Sequence, residues 1–156
     1  MLRQNLQSEC VSELPCREAI LISPETSVRQ AAEIMQAKKL GCATVIDAEG
    51  KPIGIFTERT LIELLLQQPD NLGQIPVREH LETAWFCVRN SDPISTVLDL
   101  VQNRGARFVC ELDEHGKAIG LTGQKGLSEY IADHFPAQVM VQRIGGQLGM
   151  ETREGA

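Results

Sequence analysis

Few residues in this chain have the type and spacing that catalysis or metal binding requires. His80, His115 and His134 fall in a predicted connector helix, a predicted turn and a predicted helix end, without the spacing of metal ligands. The five cysteines include no C-x-x-C pair and no cysteine with a sequence-adjacent base. The glycine-rich segment 145–149 follows no clear strand, so it is a weak candidate for a phosphate loop. We therefore expect a protein without enzymatic activity and without a metal site.

The polar residues of greater interest lie in a motif that occurs twice. The segment GKPIGIFTERTL (50–61) returns as GKAIGLTGQKGL (116–127), and a shift of 66 residues aligns 11–66 with 77–132 without a gap. Ten aligned pairs are identical, and they cluster around the glycine-containing turn. An ungapped register of this length indicates an internal duplication. The second copy lacks polar side chains that the first copy has in this motif.

Each copy has the pattern strand, helix, strand, strand, helix. The opening strands are short apolar runs, the first helices have apolar residues at helical spacing, and the later strands form a hairpin around a glycine turn. In the second copy, Asp92 is the predicted N-cap and Pro93 the first helical residue. The predicted opening strands are 19–23 and 84–88, the hairpins are CATVID to IGIFT and FVCELD to IGLTG, and the closing helices are ERTLIELLLQQ and QKGLSEYIADHF. Neither copy alone could bury both helices and a sheet, so we expect the two to share one core.

The predicted organisation has five parts. They are an N-terminal arm (1–10), a first motif (11–66), a connector (67–76), a second motif (77–136) and a C-terminal extension (137–156). Two prolines and a glycine mark the connector. Alternating residues QVMVQRI predict an added edge strand in the extension, and segment 145–156 has no core-forming pattern and is predicted to be mobile.

Composition argues against several classes of function. A net charge of −6 without a basic block, with only one Trp, one Tyr and four Phe, argues against nucleic-acid binding. No apolar run approaches the length of a membrane span, and the N-terminus has no apolar signal core. An odd number of cysteines, several in apolar stretches, is typical of a reducing compartment. We expect a cytoplasmic protein without a nucleic-acid or membrane partner.

The duplicated pattern resembles the CBS domain pair, the tandem module named after cystathionine β-synthase. The resemblance rests on LISPETSVRQAAEIM and ATVIDAEGKPIGIFTER in the first copy, and on CVRNSDPISTVLDLV and FVCELDEHGKAIGL in the second. Segment 130–140 (YIADHFPAQVM) is similar to the ending of stand-alone bacterial CBS pairs. The resemblance implies an α/β (α+β) fold in which two β-α-β-β-α motifs pack with pseudo-two-fold symmetry into one compact module.

The resemblance also implies a regulatory function rather than an enzyme. CBS pairs typically bind AMP, ADP, ATP, S-adenosylmethionine or sometimes NAD between their motifs, and many form homodimers that pass ligand occupancy to a regulated protein. No cofactor is required. The implied partners are therefore an adenylate-type ligand, a second copy of the chain and an unidentified regulated protein.

The family's ligand positions can be placed on this sequence. In the first copy, Thr57 stands at the phosphate-hydroxyl position, Arg59 at a cation position and Thr60 where a ribose-binding aspartate is typical. Arg107 opens a hairpin strand where some relatives present a phosphate-binding cation. The residues predicted to contact a nucleotide are Ile20, Ile22, Cys42, Ala43, Phe56, Thr57, Arg59, Thr60, Arg107 and Lys125.

The second copy departs further from the family pattern. Gly123 replaces the hydroxyl and Gly126 the aspartate, while Lys125 keeps the cation. A lost charge-assisted bond to the ribose costs about 1.5–3 kcal/mol, so the sequence favours the first copy's cleft for the ligand. The two glycines are explained equally by a close backbone approach or by drift in an unused site.

Other interpretations remain open at this stage. Thr57 is as well placed to cap the helix that follows as to bind phosphate, and Arg59 and Lys125 have the pattern of solvated helix charges. The alternative function is a dimerisation or protein-interaction module with degenerate nucleotide sites, using the closing helices LIELLL and LSEYIADHF as its surface. A third possibility is a site opened to a different ligand.

Overall fold

The structure, a computed structural model, describes residues 1–82 and 84–136. It contains two three-stranded sheets with the same topology. The strands of the first sheet are β1 (Leu21–Ile22), β2 (Cys42–Ile46) and β3 (Pro52–Thr57), and those of the second are β4 (Phe86–Arg89), β5 (Phe108–Leu112) and β6 (Ala118–Gly123). In each sheet the first strand is parallel to the central strand and the third is antiparallel to it. The predicted α/β fold with two β-α-β-β-α motifs is confirmed.

Five α-helices accompany these strands. They are α1 (Leu2–Ser8), α2 (Val28–Lys38), α3 (Glu58–Gln67), α4 (Ile94–Arg104) and α5 (Gln124–His134), with short 3-10 turns at Val11–Glu13 and Val77–His80. A capping box of Ser27 and Gln30 begins α2, because each side chain bonds to the backbone of the other residue. Among the helices that the structure describes, none has the length and apolar character that crossing a membrane requires.

The structure corrects two local predictions. The opening strands differ from 19–23 and 84–88, since β1 contains only Leu21–Ile22 and β4 spans Phe86–Arg89. Helix α4 begins one residue later than predicted, because Pro93 is extended (φ −67°, ψ 148°) and acts as the N-cap, with no side-chain cap bond within the described residues. The Asp92 carboxylate instead accepts a bond from the Arg89 N–H at 2.8 Å.

Identical hairpin turns explain part of the conserved register between the copies. The Asp47 carboxylate accepts bonds from the N–H groups of Glu49 and Lys51 at 3.0 and 2.9 Å. Asp113 accepts the equivalent bonds from His115 and Lys117 at 2.8 and 2.9 Å. The Lys117 N–H bond is the main reason that the pKa of Asp113 is lowered. At the tip, Gly50 and Gly116 have φ values of 84° and 77°, a conformation that favours glycine.

The segments that precede the opening strands, β1 and β4, exchange between the two halves. Val11 and Leu14 lie in the apolar core of the second motif, together with Leu6 of α1. Ile75 and Val77, from the end of the connector and the turn that follows, lie in the core of the first motif. The single shared core expected from the sequence is therefore wrong, since each motif has its own core. Each core is completed by residues from the other half of the chain, which joins the halves into one compact unit. The edge strand and mobile tail predicted after residue 136 lie outside the described residues.

Candidate ligand clefts

Two cavities lie where the motifs meet. The first, of about 400 Å³, is called here the first cleft and lies at the β3–α3 junction. The second, of about 480 Å³, is called the second cleft and lies at the β6–α5 junction. The first cleft is lined by residues including Ile55, Thr57, Glu58, Arg59, Glu82, Phe86, Arg104, Arg107 and Phe108, and the second by residues including Cys16, Arg17, Leu40, Arg107, Phe108, Leu121, Thr122, Gly123, Gln124, Lys125, Gly126 and Glu129. Both volumes fall in the range of small-molecule sites.

In the first cleft, the Thr57 hydroxyl already has partners within the protein. It donates to the Glu82 carboxylate at 2.6 Å and accepts from the Thr60 N–H at 3.4 Å as the N-cap of α3. A hydroxyl has one hydrogen, so this one is directed at Glu82 and not at the cleft. The structure thus combines the capping role considered from the sequence with a carboxylate contact that the sequence did not predict.

Two of the cations of the first cleft also face carboxylates. The Arg59 Nε lies 3.6 Å from Glu63, and an Arg107 terminal nitrogen lies 3.3 Å from Glu58. These pairs are largely exposed, so each contributes little to stability. They nevertheless reduce the positive potential that an anionic ligand would meet. Arg107 also stacks on the Phe108 ring, with its guanidinium carbon 5.1 Å from the ring centroid.

The second cleft presents unsatisfied donors instead. Gly123 is the N-cap of α5 and provides no side-chain cap within the described part of the chain, so the first N–H groups of this 11-residue helix have no side-chain acceptor. The hydroxyl of Thr122 is buried, and no residue in 1–82 or 84–136 forms a hydrogen bond with it. Arg17 lines the same cavity, and Lys125 lies 3.8 Å from Glu129. A helix N-terminus beside a free hydroxyl and two cations is suited to an anion.

The backbone pairing reverses a charge between the two clefts. Glu82 forms an antiparallel bridge with Ile55 of β3, and Arg17 forms the corresponding bridge with Leu121 of β6. Ile55 and Leu121 are equivalent in the duplication, so the bridges place Glu82 and Arg17 at equivalent positions. The 66-residue alignment instead pairs Glu82 with Cys16, because the two crossing segments differ by one residue in their register. A carboxylate therefore lines the first cleft where a guanidinium lines the second.

The glycines at the β6–α5 junction are required by close backbone contacts. Gly123 has a φ of 146°, and a Cβ there would lie 2.5 Å from the Arg107 carbonyl oxygen. A Cβ on Gly126 would lie 2.6 Å from the Pro15 carbonyl oxygen and 2.9 Å from the Thr122 hydroxyl. A side chain at either position would collide with backbone. Of the two sequence explanations, close backbone approach is therefore the one that the geometry supports.

Comparison with known proteins relates the first motif to a family and the fold to solved structures. The CBS domain model matches residues 11–67. A CBS domain protein of Pyrobaculum aerophilum complexed with AMP is 19% identical in sequence and superimposes with a TM-score of 0.68. The match covers 76% of this chain and 90% of that protein's chain. A CBS domain pair in complex with 5′-methylthioadenosine and S-adenosyl-L-methionine is 17% identical, covers 80% and 97%, and gives a TM-score of 0.68. The first motif thus matches the CBS domain model, and the chain has the fold of a CBS-domain pair.

The sequence relatives of this CBS pair do not define its function. An uncharacterised protein of Methanopyrus kandleri is 26% identical over 74% of this chain, and the chain spans 59% of the length of that relative. Two further uncharacterised relatives are from Acidianus ambivalens and Methanocaldococcus jannaschii. These organisms are archaeal, so the bacterial type suggested by the C-terminal resemblance stays a prediction. The solved CBS pairs are below 25% identity and support the fold alone.

The CBS pair places only some of the sequence-predicted contacts in the clefts. Thr57 and Arg59 line the first cleft, Lys125 lines the second and Arg107 lines both. Thr60 lines neither cavity, and its N–H bonds to Thr57. The remaining predicted contacts are buried rather than cleft-lining, namely Ile20, Ile22, Ala43 and Phe56 in the first core and Cys42 at the start of β2. Apolar spacing identified these strands but did not distinguish a core residue from a ligand wall.

Sequence reasoning missed Glu82, Arg17 and Thr122. Glu82 and Arg17 precede their strands in segments without a recognisable motif, so only backbone pairing shows that they reach the clefts. Thr122 occupies the position of Phe56 in the first copy, which is fully buried in the core. A hydroxyl at a core position of a duplicated motif is the one indication that the sequence offered.

Three thiols, those of Cys16, Cys42 and Cys110, are poor candidates for nucleophiles because their pKa values are raised. Burial and the neighbouring Glu111 raise the pKa of Cys16, beside the second cleft, to about 12, and burial raises that of Cys42 to about 12. Cys87 and Cys110 are free cysteines that pair on adjacent strands. A hydrogen bond between their thiols lowers the pKa of Cys87 and raises that of Cys110. Among the described residues, no group of three or more His, Cys, Asp and Glu could hold a metal ion.

Proposed function

We propose that this CBS pair is a non-enzymatic sensor that binds a phosphate-bearing adenine nucleotide in its second cleft and passes occupancy to a partner protein. The observation that carries the proposal is the buried, unpartnered Thr122 hydroxyl beside the uncapped N-terminus of α5. Arg17 and Lys125 add positive charge to the same wall. A protein of the same fold has been solved with AMP, which supports this ligand class.

The second cleft is the better phosphate site although the sequence favoured the first. In the first cleft, the Thr57 hydroxyl is bonded to Glu82, whereas the Thr122 hydroxyl of the second cleft has no partner among the described residues. The pair Arg59–Glu63 has its equivalent in Lys125–Glu129, so the clefts differ in these hydroxyls and in Arg17. The missing ribose carboxylate limits affinity in the second cleft, so we expect the phosphate to provide most of the binding energy there. Leu40, Phe108 and Leu121 supply an apolar wall against which a purine can pack.

Thermal unfolding with AMP, ADP and ATP tests the proposal. Ligand at one hundred times its dissociation constant adds about 2.7 kcal/mol, which raises the unfolding temperature of a domain of this size by several degrees. Arg17→Ala and Lys125→Ala should each weaken AMP binding about tenfold, the equivalent of about 1.4 kcal/mol. Arg59→Ala is the matched control, since Arg59 lines the other cleft and faces Glu63. An AMP affinity that falls in Arg59→Ala and not in the other two variants would contradict the assignment.

Regulation requires that the ligand prefers one of two states of the protein. Arg107 and Phe108 line both clefts, so a ligand that moves either side chain changes both sites. We propose that this shared wall communicates occupancy between the clefts. Binding of one ligand should then change the affinity for a second by the same factor in both directions, which titration of each ligand in the presence of the other measures.

A dimer of the chain is the second function that a specific observation favours. Ile62, Leu65 and Leu66 on α3 are 56%, 45% and 82% exposed, and a second copy of the same face could cover them. Helix α5 differs, because Leu127 and Tyr130 are buried in the core. Leu66→Glu should shift the chain from dimer to monomer in light scattering at micromolar concentration. A monomeric wild-type chain under these conditions would contradict the proposal.

A further inference from the structure

The first cleft contains a carboxylate that the proposed function does not use. Glu82 reaches across from the segment before β4 and accepts the Thr57 hydroxyl at 2.6 Å. Its own backbone N–H donates to the Ile55 carbonyl at 2.9 Å, so the residue is fixed against β3. Thr57 is only 7% exposed, which places this hydrogen bond at the base of the cavity. The carboxylate is therefore held in the cleft by contacts at both its backbone and its side chain.

A phosphate would be disfavoured at this position. The Thr57 hydroxyl directs its one hydrogen at Glu82, so it cannot donate to a phosphate without breaking that bond. The Glu82 carboxylate would meet the phosphate as a like charge in a partly buried site, where screening by solvent is weak. Glu58 adds a second carboxylate, which pairs with Arg107, and Arg59 and Arg104 line the cavity as well. The repulsion is therefore local to the bond between Glu82 and Thr57.

A nucleoside without a phosphate is complemented by the same groups. A carboxylate accepts hydrogen bonds from both hydroxyls of a ribose and attracts a sulfonium or ammonium group. Position 60 has a threonine where the family pattern has a ribose-binding aspartate, and Glu82 supplies a carboxylate to this cleft from the segment before β4. Ile55, Phe86 and Phe108 provide apolar surface for the base.

We infer that Glu82 makes the first cleft selective for an uncharged or cationic nucleoside, while Arg17, at the equivalent position, makes the second cleft selective for a nucleotide phosphate. This inference rests on the proposed function, since it assigns a different ligand class to each of the two clefts. The reversal follows from the bridges of Glu82 with Ile55 and of Arg17 with Leu121. The pair is thereby a receptor for two different adenosine compounds rather than for two copies of one.

Calorimetric titration of the full chain with S-adenosylmethionine, 5′-methylthioadenosine and AMP tests the inference. Glu82→Gln keeps the size of the side chain and an acceptor for Thr57 but removes the charge. We expect it to weaken S-adenosylmethionine binding about tenfold, to change 5′-methylthioadenosine binding less, and to add a second AMP site. Glu129→Gln, which removes a carboxylate from the second cleft, should leave S-adenosylmethionine affinity unchanged. Unchanged affinities for all three compounds in Glu82→Gln would overturn the inference.

A second variant covers the case in which Glu82→Gln does not fold. Thr57→Val removes the hydroxyl but leaves the Glu82 charge, so the preference of the first cleft for S-adenosylmethionine over AMP should persist. Loss of that preference would contradict a selection by charge. The proposed function has a separate test. It is contradicted if Arg17→Ala and Lys125→Ala bind AMP as tightly as the wild-type protein does. A chain that binds none of the three compounds would overturn both.

Discussion

The two ligand clefts are built from the same elements and differ in what lines them. Both lie where the third strand of a motif meets its closing helix, and both are crossed by a segment from before an opening strand. In the first cleft the helix is capped by Thr57, whose hydroxyl is bonded to Glu82. In the second, Gly123 leaves the helix uncapped and Arg17 stands in place of Glu82. Duplication preserved the backbone plan, while the crossing segments diverged so that a carboxylate enters one cleft where a guanidinium enters the other.

The crossing segments show why the divergence was possible. Gly54 and Gly120, an identical pair, each leave space for the segment that passes over the sheet. A Cβ on Gly54 would lie 3.0 Å from the Leu81 side chain, and one on Gly120 would collide with the Cys16 sulfur. The glycines fix where each segment crosses, but not which residue of the segment pairs with the strand. A shift of one residue therefore places Arg17, and not Cys16, in the bridge with Leu121.

The largest expected difference between the clefts concerns the missing aspartate. Gly126→Asp should destabilise the protein by about 3 kcal/mol, because its Cβ would collide with the Pro15 carbonyl and its carboxylate would be buried without a partner. Thr60→Asp should change stability by less than about 0.5 kcal/mol, since Thr60 is only partly buried. Urea unfolding of both variants measures the difference. Equal stability would mean that the second cleft can accommodate the family's carboxylate.

A second difference lies in the central strands. Glu111 is 4% exposed and one of its carboxylate oxygens has no partner among the described residues, whereas the first motif has the fully buried Val45 at this position. Glu111→Val should stabilise the protein by about 1–2 kcal/mol, because it removes a buried polar group with an unpartnered oxygen. The shift in urea midpoint is the measurement, with Glu114→Val in the exposed turn as control. A loss of stability would assign Glu111 a structural bond that outweighs its burial.

Capping provides a smaller contrast. Thr57→Ala should cost about 1 kcal/mol, because α3 loses its side-chain cap and Glu82 loses a donor. Thr57→Ser retains the hydroxyl and should remain close to the wild type. Gly123 cannot be improved in the same way, since its φ of 146° excludes a side chain. Thermal unfolding of the two Thr57 variants checks this, and equal unfolding temperatures would show that the cap contributes nothing.

The smallest effect near neutral pH is the dependence of folding stability on the protonation of Cys16, Cys42 and Tyr130. This dependence becomes larger under alkaline conditions. The pKa values of Cys42 in the first motif and Cys16 beside the second cleft are raised from 9.0 to about 12, and that of Tyr130 from 10.0 to about 12. A raised pKa means that the folded state holds its proton more tightly, so this stabilisation is complete below about pH 9 and is lost as the pH rises towards 12. Urea midpoints from pH 8 to 11 measure the loss. Tyr130→Phe should flatten the curve above pH 10, and an unchanged slope would exclude Tyr130.

Much of the fold could be predicted because the motif occurs twice. The positions of Gly50 and Gly116, and of the aspartates that accept their turn bonds, follow from local geometry that the sequence encodes directly. The start of α4 could not be predicted to the residue, because the Ile94 N–H bonds to the Glu9 carbonyl in a distant segment. The candidate site was predicted at its strand–helix junctions and missed in its crossing segments. Four of its ten predicted contacts line a cleft.

The sequence by itself determined the duplication, the order of elements and the turns, since these depend on neighbours in the chain and on periodicity. The tertiary structure alone decided that the segments before β1 and β4 exchange between the two cores, because a long-range pairing leaves no local pattern. It also decided that Glu82 and Arg17 are equivalent, since backbone bridges, and not sequence alignment, set which side chain faces a cleft. Charge at the clefts is therefore a property of the folded chain that its duplicated sequence conceals.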